Sequence, residues 1–568
     1  MGLRCNLEPW RTSTFHLKAN NQQHSIARSM KIDEKSVAGK ELILQEQTQL
    51  LVIGAGPAGL SAAIEGAGRG LSVVLIDENP VPYKTMGDEV PLHYGQGMSG
   101  VARNRNAMIE AFVTSEPLIQ VAFDAGVDVR LGTACWGLYA NGPGVHWLPG
   151  TVAGLADEER GWLIGADYVI VAAGRRDMGL GFPGWEKPGV IGATAAITLA
   201  TRFGALNPRR VVILGTSAEA LTAAAALRDA GIEIAAIVEQ AAEPVGPDHL
   251  VTELHAAGCE FLTHHVVREA LGRASVEGVL IAAVDKTGRA VGEERRIDCE
   301  GVVLAVGTTP VVDLLAALGC HITFQPERGG YAPKVDADQR SSVHNIFAVG
   351  DCAGIWPAKS LDRSIAAGEG LRAVGAILGE DFGSAEVSVP DRPAYDLSAY
   401  RMAWVRASVI GARGDFHVCQ CEEVTAREIL ELRPPRYLGW QTDRRNDRSL
   451  LSLLDEAPPN PDQVKRLTRA GMGPCQGRRC REQIAALLSL QATAPLADIP
   501  LAGYRTPVRP LPLAIASQLR ESADQAQHWE LWFGIPSQWQ PPCEVPEFYT
   551  VAADEATIVV DDERGGHD

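Results

Sequence analysis

The sequence lacks long apolar runs and an excess of positive charge. No run approaches the roughly 18 residues that a membrane-spanning helix needs. The 52 Lys and Arg residues face 70 Asp and Glu residues, and the net charge of −18 argues against a nucleic-acid surface. Residues 1–45 lack the apolar core of a signal peptide. We therefore expect a disordered leader, or a true start at Met30, and a cytoplasmic protein that meets a membrane only through a complex.

The eleven cysteines also lack a regular spacing along the chain. Four of them crowd into residues 419–480, and the others are scattered. This distribution argues against a disulfide framework and favours a reduced compartment with one local metal site. The length of 568 residues predicts several domains.

The clearest motif spans residues Leu50–Glu78 and has the order strand, glycine turn, helix, strand, acid. Its G-x-G-x-x-G pattern consists of Gly54, Gly56 and Gly59. In this pattern the first glycine allows a tight turn, the second lets backbone approach a pyrophosphate, and the third lets the helix pack on the strand. The helix N-terminus favours the phosphates. Asp77, with Glu78 as the alternative, is placed to bind a ribose hydroxyl, so the motif predicts a dinucleotide site.

A second strand–turn–helix unit begins at Arg210, and its glycine pattern is degraded. Gly215 is kept, but Ser217 and Ala220 replace the other two glycines. Alanine is tolerated at the third position, whereas Ser217 brings a Cβ and a hydroxyl to the place of the pyrophosphate. Glu239 would favour NAD over NADP. We therefore do not expect this unit to bind NAD(P)H. It could instead hold another adenine nucleotide in a structural role, or it could be empty.

The crowded cysteines form a C-x-C pair, a 53-residue spacer and a C-x4-C pair. They are Cys419, Cys421, Cys475 and Cys480. Four thiolates from two short loops can hold a [2Fe–2S] cluster, and nearby backbone N–H groups can bond to the sulfurs. Two alternatives stay open. Zinc usually takes two C-x-x-C pairs, and four unrelated cysteines could share a reduced core.

Helices are expected around these cysteines. Thr425 and Glu428 form a capping-box pattern, and Asn460 before a proline predicts another helix start. A third helix should begin near Cys480. The intervening stretch Arg433–Asn460 is expected to form a surface loop.

Three further stretches resemble the two-dinucleotide-fold flavoproteins. They are the strands at 166–174 and 302–310, which end in Ala-Ala-Gly and Ala-Val-Gly, and the strand with Gly-Asp at 343–354. In that family the first two mark the exit from the first nucleotide domain and the end of an inserted second one. The aspartate of the third binds the flavin ribityl chain. The resemblance implies FAD, with Gly174, Gly350 and Asp351 at its site.

The expected fold class is therefore α/β, with two dinucleotide-binding (Rossmann-like) domains followed by a small, mostly helical [2Fe–2S] domain. The last of these resembles the bacterioferritin-associated-ferredoxin type. The expected boundaries are 1–45 for the leader, 46–205 for the first part of the FAD domain, 206–310 for the inserted second nucleotide domain, 311–390 for the return of the FAD domain, 411–490 for the cysteine module and 491–568 for a C-terminal extension.

The combination resembles one group of proteins over roughly residues 46–515. The group comprises the A (or α) chains of octopine and nopaline oxidases (opine dehydrogenases), of hydroxyproline and proline dye-linked dehydrogenases, and of hydrogen cyanide synthase. The match includes Met472–Arg478 and Tyr504–Leu513. It implies an FAD and [2Fe–2S] electron-transfer subunit of an amine, opine or imino-acid dehydrogenase that passes electrons to a quinone or another acceptor.

The same resemblance implies partners. A catalytic flavoprotein β subunit resembling glycine and sarcosine oxidases would oxidise the C–N bond, and a small ferredoxin-like γ subunit is often present. Some members imply FMN at an interface between subunits, to which no residue can be matched here. The Trp- and Pro-rich tail Trp529–Tyr549 is expected to wrap the core or dock a partner.

No substrate base is evident in this chain. His93 and Tyr94 lie in a stretch that could approach the flavin, although a surface loop is the simpler interpretation. No Cys-x-x-Cys or Cys-x4-Cys lies near either glycine motif, so a disulfide reductase would have no carrier, and Cys352 is interpreted as a packing residue. Two other functions stay open: a self-sufficient NAD(P)H-dependent reductase that uses the cluster, and an assembly protein with structural FAD.

Overall fold

The computed structural model describes residues 44–80, 99–141, 148–380, 395–433 and 449–519. Most of the expected leader, the pair His93 and Tyr94, and the tail Trp529–Tyr549 lie outside these ranges. Within the ranges, no helix is both long and apolar enough to cross a membrane.

The first nucleotide fold is built on a seven-stranded sheet whose central strand is Glu46–Ile53. Leu50 and Val52 point into one apolar core, and Leu51 points into another on the opposite face. A strand buried on both faces needs an unbroken apolar run, which is what the sequence carries there. The parallel strands beside it are Val73–Asp77 and Asp128–Leu131 on one side, and Gly161–Val171 and Ile346–Ala348 on the other.

The remaining elements of this fold extend and cover the sheet. Antiparallel strands Ala134–Tyr139 and Thr151–Ala156 continue from the first half of Gly161–Val171. The helices are Pro57–Gly68, Arg105–Ser115, Leu118–Asp124 and, from the return of the chain, Asp313–Leu318, Pro357–Leu361 and Arg363–Ile377. A short antiparallel pair, Ile322–Gln325 with Gly330–Pro333, also belongs to the return.

The second nucleotide fold is a five-stranded sheet that is parallel throughout. Its strands, in spatial order, are Phe261–Leu262, Glu233–Val238, Arg210–Leu214, Gly301–Leu304 and Val190–Gly192. Its helices are Ala193–Thr201, Ala218–Asp229 and Asp248–Ala256. The fold therefore takes a strand and a helix from before residue 206, because a three-residue strand carries too little pattern to be found in the sequence.

Two smaller sheets lie next to the two nucleotide folds. Strands His265–Leu271, Gly278–Val284 and Ala290–Ile297 form an antiparallel sheet next to the second nucleotide fold. Strands Arg175–Asp177 and Thr308–Pro310 pair where the chain leaves the first fold and returns to it. The two large sheets, the first with a parallel centre and the second parallel throughout, confirm the predicted α/β class with two Rossmann-type domains.

The cysteine module follows a helix at Leu397–Val405 and a π-helical turn at Arg406–Ile410. Its described elements are the hairpin His417–Cys419 with Val424–Thr425, then the helices Ala426–Leu430, Leu450–Glu456, Pro461–Thr468 and Arg481–Ala492. Beyond it lie a 3-10 turn at Leu496–Asp498 and a short helix at Leu513–Ala516.

The expected helix starts in this module are confirmed. Thr425 and Glu428 make both hydrogen bonds of the capping box, and the Asn460 side chain accepts from the Asp462 N–H. The expectation of a surface loop over Arg433–Asn460 is wrong for its described end. That end contains the helix Leu450–Glu456, which buries Leu450 and Leu453 in the core because residues three positions apart share a helix face, while Leu451 is exposed.

Candidate functional site

The glycine turn of the first nucleotide fold is shaped by three different steric demands. Gly54 has φ +113°, and a Cβ on it would lie 2.2 Å from the carbonyl oxygen of Ala172. A Cβ on Gly59 would lie 1.9 Å from the carbonyl oxygen of Gly54, so helix and turn are in direct contact there. Gly56 faces open space, with no atom within 4 Å of the position of its Cβ. No side chain caps the helix that follows.

This turn borders a cleft of about 330 Å³ at the carboxyl ends of the parallel strands. Asp77 and Gly174 also border the cleft. The Asp77 carboxylate accepts hydrogen bonds from the backbone N–H groups of Ala55 and Asn79, each at 2.7 Å, and burial raises its pKa. Gly174 has φ +73° and ends the strand segment that leaves the first fold. The open turn, the uncapped helix and the adjacent carboxylate fit the adenosine and pyrophosphate half of FAD.

Glu78, the alternative ribose ligand, is directed to another partner. It accepts a hydrogen bond from Arg509 Nε at 2.6 Å. Although burial opposes ionisation, Arg509 holds the pKa of Glu78 below its usual value. Of the two acids, Asp77 is therefore the one that contacts the glycine turn and is available to a ribose.

Three arginines reach this cleft from distant parts of the chain, and sequence reasoning missed them. They are Arg202, Arg363 and Arg509. The Arg202 guanidinium lies 4.4 Å from the ring centroid of Phe112, and Arg363 pairs with Glu116. Arg202 and Arg363 lie in no motif. Arg509 lies in the stretch Tyr504–Leu513, but only the fold could show that the three arginines line the cleft.

A buried ion pair makes hydrogen bonds to the backbone of the Gly350–Asp351 turn. Lys359 Nζ lies 2.8 Å from both carboxylate oxygens of Glu369 and donates to the carbonyl oxygens of Gly350 and Gly354. Glu369 in turn accepts from the Gly350 N–H at 2.6 Å. Burial lowers the pKa of Lys359 and raises that of Glu369, and the pairing opposes both shifts.

Asp351 itself is half-buried and pairs with Arg175 at 3.2 Å. Gly350 has φ +70°, and a Cβ on it would approach Ala58 of the first helix to 3.1 Å. The neighbouring Cys352 is fully buried, donates to the carbonyl oxygen of Val171 and has its pKa raised to about 12 by burial. This agrees with its interpretation as a packing residue.

The four module cysteines lie side by side. Cys421 and Cys475 have their sulfurs 3.5 Å apart, while Cys419 is hydrogen-bonded to both Cys421 and Cys480. Cys419 and Cys480 are buried, whereas Cys421 is exposed and Cys475 half-buried. Within the described residues, no group of three or more His, Cys, Asp or Glu side chains is arranged to hold one metal ion.

Backbone N–H groups surround these sulfurs. The N–H of Gly471 donates to Cys419 Sγ at 3.4 Å, and those of Gly477 and Arg479 donate to Cys475. A Cβ on Gly473 would lie 2.6 Å from Cys421 Sγ, so only glycine fits there. Two inner thiols, two outer thiols and N–H donors to sulfur suit an iron–sulfur cluster. The cluster itself stays a prediction.

Hydrogen bonding between the thiols affects their protonation. A hydrogen bond to a neighbouring thiol, which only the protonated sulfur can donate, and burial together raise the pKa of Cys421 and of Cys475. Since metals bind thiolates, these groups would release protons when a cluster is inserted.

A chain of ion pairs, in which Asp313 and Glu482 are buried, runs from the cleft to the cysteine module. Arg509 bridges Glu78 and Asp313, and Arg176 bridges Asp313 and Glu482 at 3.0 and 2.8 Å. Glu482 lies two residues after Cys480. Although burial favours the neutral acid, Arg176 and Arg509 hold the pKa of Asp313 well below its usual value. The chain of ion pairs joins five separate segments of the sequence.

The second glycine turn differs from the first. Gly215 has φ +104°, but Ser217 caps its own helix by accepting from the Ala220 N–H. Glu239 is fully buried. The predicted site residues thus fall into two groups, one around the first turn and one in the cysteine module, and the second turn joins neither.

Comparison with known proteins places these features in a family. The family described as pyridine nucleotide-disulphide oxidoreductase matches residues 48–370. The A chain of opine oxidase from Agrobacterium tumefaciens (strain Ach5) is 28% identical over 525 residues, which is 87% of this chain and 95% of that protein. The HcnB chain of hydrogen cyanide synthase from Pseudomonas protegens is 25% identical over 503 residues, which is 82% of this chain and 96% of that protein.

The crystal structure of L-proline dehydrogenase from P. horikoshii has the same fold. It superposes with a TM-score of 0.54 at 20% identity, covering 84% of this chain and 80% of that one. The predicted resemblance to the opine oxidase and hydrogen cyanide synthase group is confirmed by these matches.

Proposed function

Because this chain belongs to the pyridine nucleotide-disulphide oxidoreductase family, we propose that it is the electron-transfer subunit of a hetero-oligomeric amine, opine or imino-acid dehydrogenase. The prediction of an oxidoreductase is confirmed by the family. FAD in the first fold and a [2Fe–2S] cluster in the module are its proposed cofactors. One observation carries the proposal: the cleft and the four cysteines belong to one body, joined by buried ion pairs between Arg176, Asp313 and Glu482.

The residues of the first fold would position the flavin. Gly56 admits the pyrophosphate to the backbone, and Asp77 offers its carboxylate to the adenosine ribose. Asp351, held beside Arg175, is the proposed ligand of the ribityl chain. When bound, FAD accepts two electrons and releases them singly, as a one-electron cluster requires.

The four cysteines of the module would hold the cluster between a buried pair of thiols and a pair near the surface. Cys419 and Cys480 keep one side away from water, whereas Cys421 and Cys475 lie near the surface. The exposed side is where a partner or an acceptor can approach.

The relatives support a partner subunit. The opine oxidase and hydrogen cyanide synthase relatives are each named as one subunit of a larger enzyme, and both are matched over more than nine-tenths of their length. We propose a catalytic flavoprotein partner resembling glycine or sarcosine oxidase. The three acids that line the cleft are each engaged within this chain: Asp77 by two backbone N–H groups, Glu78 by Arg509 and Glu116 by Arg363.

The test is anaerobic reduction of the native complex. Opines, proline analogues and glycine are offered in turn, and flavin absorbance and the cluster's electron paramagnetic resonance signal are recorded. We expect one amine to reduce both centres and an artificial dye to reoxidise them. Flavin and cluster that stay oxidised while the partner turns over would make this chain an assembly protein. Reduction by NADH alone would favour the self-sufficient reductase.

A further inference from the structure

The glycine turns of the two nucleotide folds have the same backbone conformation. Gly54 and Gly215 have φ +113° and +104°, and a Cβ on either would lie within 2.4 Å of a strand carbonyl oxygen, that of Ala172 or Ala305. The acid at the end of the second strand follows 23 or 24 residues later. Any difference in binding must therefore come from what surrounds the turn.

The helix N-terminus differs first. In the first fold Gly56 faces open space and no side chain caps the helix. In the second fold Ser217 is buried, and its hydroxyl accepts from the Ala220 N–H at 3.3 Å. The chain itself thus occupies an N–H group that a pyrophosphate would use.

The segment after Glu239 then covers the turn. The Val245 N–H donates to Thr216 Oγ1 at 3.0 Å. A Cβ on Gly246 would lie 2.4 Å from the carbonyl oxygen of Thr216, so the two backbones are in direct contact. Thr216 has no exposed surface. A dinucleotide would have to displace this segment to reach the turn.

The ribose position is filled as well. Glu239 has no exposed surface and accepts from Thr216 Oγ1 at 2.6 Å, from the Ala241 N–H at 2.9 Å and from Tyr400 Oη at 2.8 Å. Asp77, its counterpart, borders an open cleft. A ribose hydroxyl at Glu239 would have to replace the hydroxyl of Tyr400.

Tyr400 belongs to the helix Leu397–Val405, which leads into the cysteine module. From the same helix, Arg401 donates to the carbonyl oxygens of Thr308 and Gly329. Trp404 lies fully buried in the same apolar core as Tyr400.

That core is shared by the second fold and the module. It contains Val212, Leu214 and Val238 of the second sheet together with Val418, Cys419, Cys480 and Leu487 of the module. Hydrogen bonds across the same contact run from Trp185 Nε1 to the carbonyl oxygen of His417 at 2.6 Å and from the Gly181 N–H to Gln483 Oε1 at 2.7 Å.

We propose that the second nucleotide fold binds no dinucleotide and instead serves as the base on which the cysteine module packs, with Tyr400 taking the place of a ribose on Glu239. Family membership implies a pyridine nucleotide, and the residues present do not fit one. The inference rests on the described packing and does not require the proposed amine chemistry.

Nucleotide binding is tested on the FAD-loaded full chain, so that the first cleft is already filled. NADH, NADPH and ADP are titrated by isothermal calorimetry, with hydrogen exchange of residues 215–220 as the local readout. We expect no saturable heat up to millimolar ligand and no protection. Saturable binding that protects these amides would overturn the proposal, whereas binding that leaves them unchanged lies elsewhere and supports it.

The packing role is tested by Tyr400→Phe, with Tyr395→Phe as the matched control. The Tyr395 ring lies 4.9 Å from that of Tyr400, centroid to centroid, and no direct hydrogen bond joins it to Glu239 among the described contacts. We expect Tyr400→Phe to speed hydrogen exchange about tenfold both at residues 215–220 and in the module at 417–425. An effect confined to the turn, or equal effects of the two variants, would contradict the proposed base.

Discussion

Arg509 and Glu78 form an ion pair at 2.6 Å although 431 positions separate them in the chain. The pair brings the segment around Arg509 against the end of the second strand of the first nucleotide fold. Arg509 also reaches Asp313 at 3.0 Å. A segment that follows the cysteine module in the chain therefore belongs to the wall of the proposed flavin cleft.

The ion-pair chain should be a large contributor to stability. Asp313→Asn removes the carboxylate that Arg176 and Arg509 share, leaving buried guanidinium groups without it. We expect the free energy of unfolding to fall by about 3 kcal/mol, measured by urea denaturation. Asp298→Asn is the control, because this exposed residue also pairs with an arginine. Its effect should stay below about 1 kcal/mol, and equal losses would contradict the role of burial.

The same carboxylate should govern part of the acid sensitivity. The folded pKa of Asp313 is lower than its unfolded value of 3.8, so the unfolded chain takes up the proton first. Its stabilising contribution is fully present above that value and is lost as the pH falls through 3.8 towards the folded value. Denaturation midpoints measured between about pH 6 and pH 3 should fall more steeply for the wild type than for Asp313→Asn. Parallel curves would show that Asp313 contributes nothing to this dependence.

Gly56 should matter for FAD and not for folding. A Cβ there meets no protein atom within 4 Å, whereas it would enter the space proposed for the pyrophosphate. We expect Gly56→Ala to weaken FAD binding at least about tenfold, or about 1.4 kcal/mol, by flavin fluorescence titration, with an unchanged unfolding midpoint. Gly68→Ala, at the other end of the same helix and equally open, should leave FAD affinity unchanged.

Loss of one of the two thiols near the surface should remove the cluster and leave the flavin bound. We expect Cys475→Ser to abolish bound iron and the cluster's electron paramagnetic resonance signal while the flavin content stays at the wild-type level. Cys320→Ser, a buried thiol outside the module, should keep both. Iron retained in full by Cys475→Ser would show that Cys475 is not a ligand.

The buried pair under the Gly350–Asp351 turn should show strong coupling. Lys359→Met leaves Glu369 charged and without its partner, so we expect a loss of about 3–5 kcal/mol and weaker FAD binding. The double variant Lys359→Met with Glu369→Gln should recover much of that stability, because neither charge then remains buried. Additive losses in this cycle would mean that the two residues act independently.

Much of the local structure could be predicted from the sequence. The apolar run Leu50–Ile53 and the glycine spacing after it predict a strand and a tight turn, because steric limits on φ and close packing act over a few residues. The capping patterns at Thr425 and Asn460 predict helix starts for the same reason. The cysteine spacing predicted that four thiols meet, and they lie together in the fold.

Other features were decided by tertiary structure alone. Arg202 and Arg509 border the cleft. Glu78 forms an ion pair with Arg509, and buried Glu239 accepts a hydrogen bond from Tyr400. Each depends on contacts between segments that are far apart in the chain, and no local pattern encodes such a contact. The sequence determined that two nucleotide folds and a cysteine module exist, since those follow from short-range spacing. Which glycine turn stays open, and which is covered by the chain itself, was decided only when distant segments packed together and buried their charges.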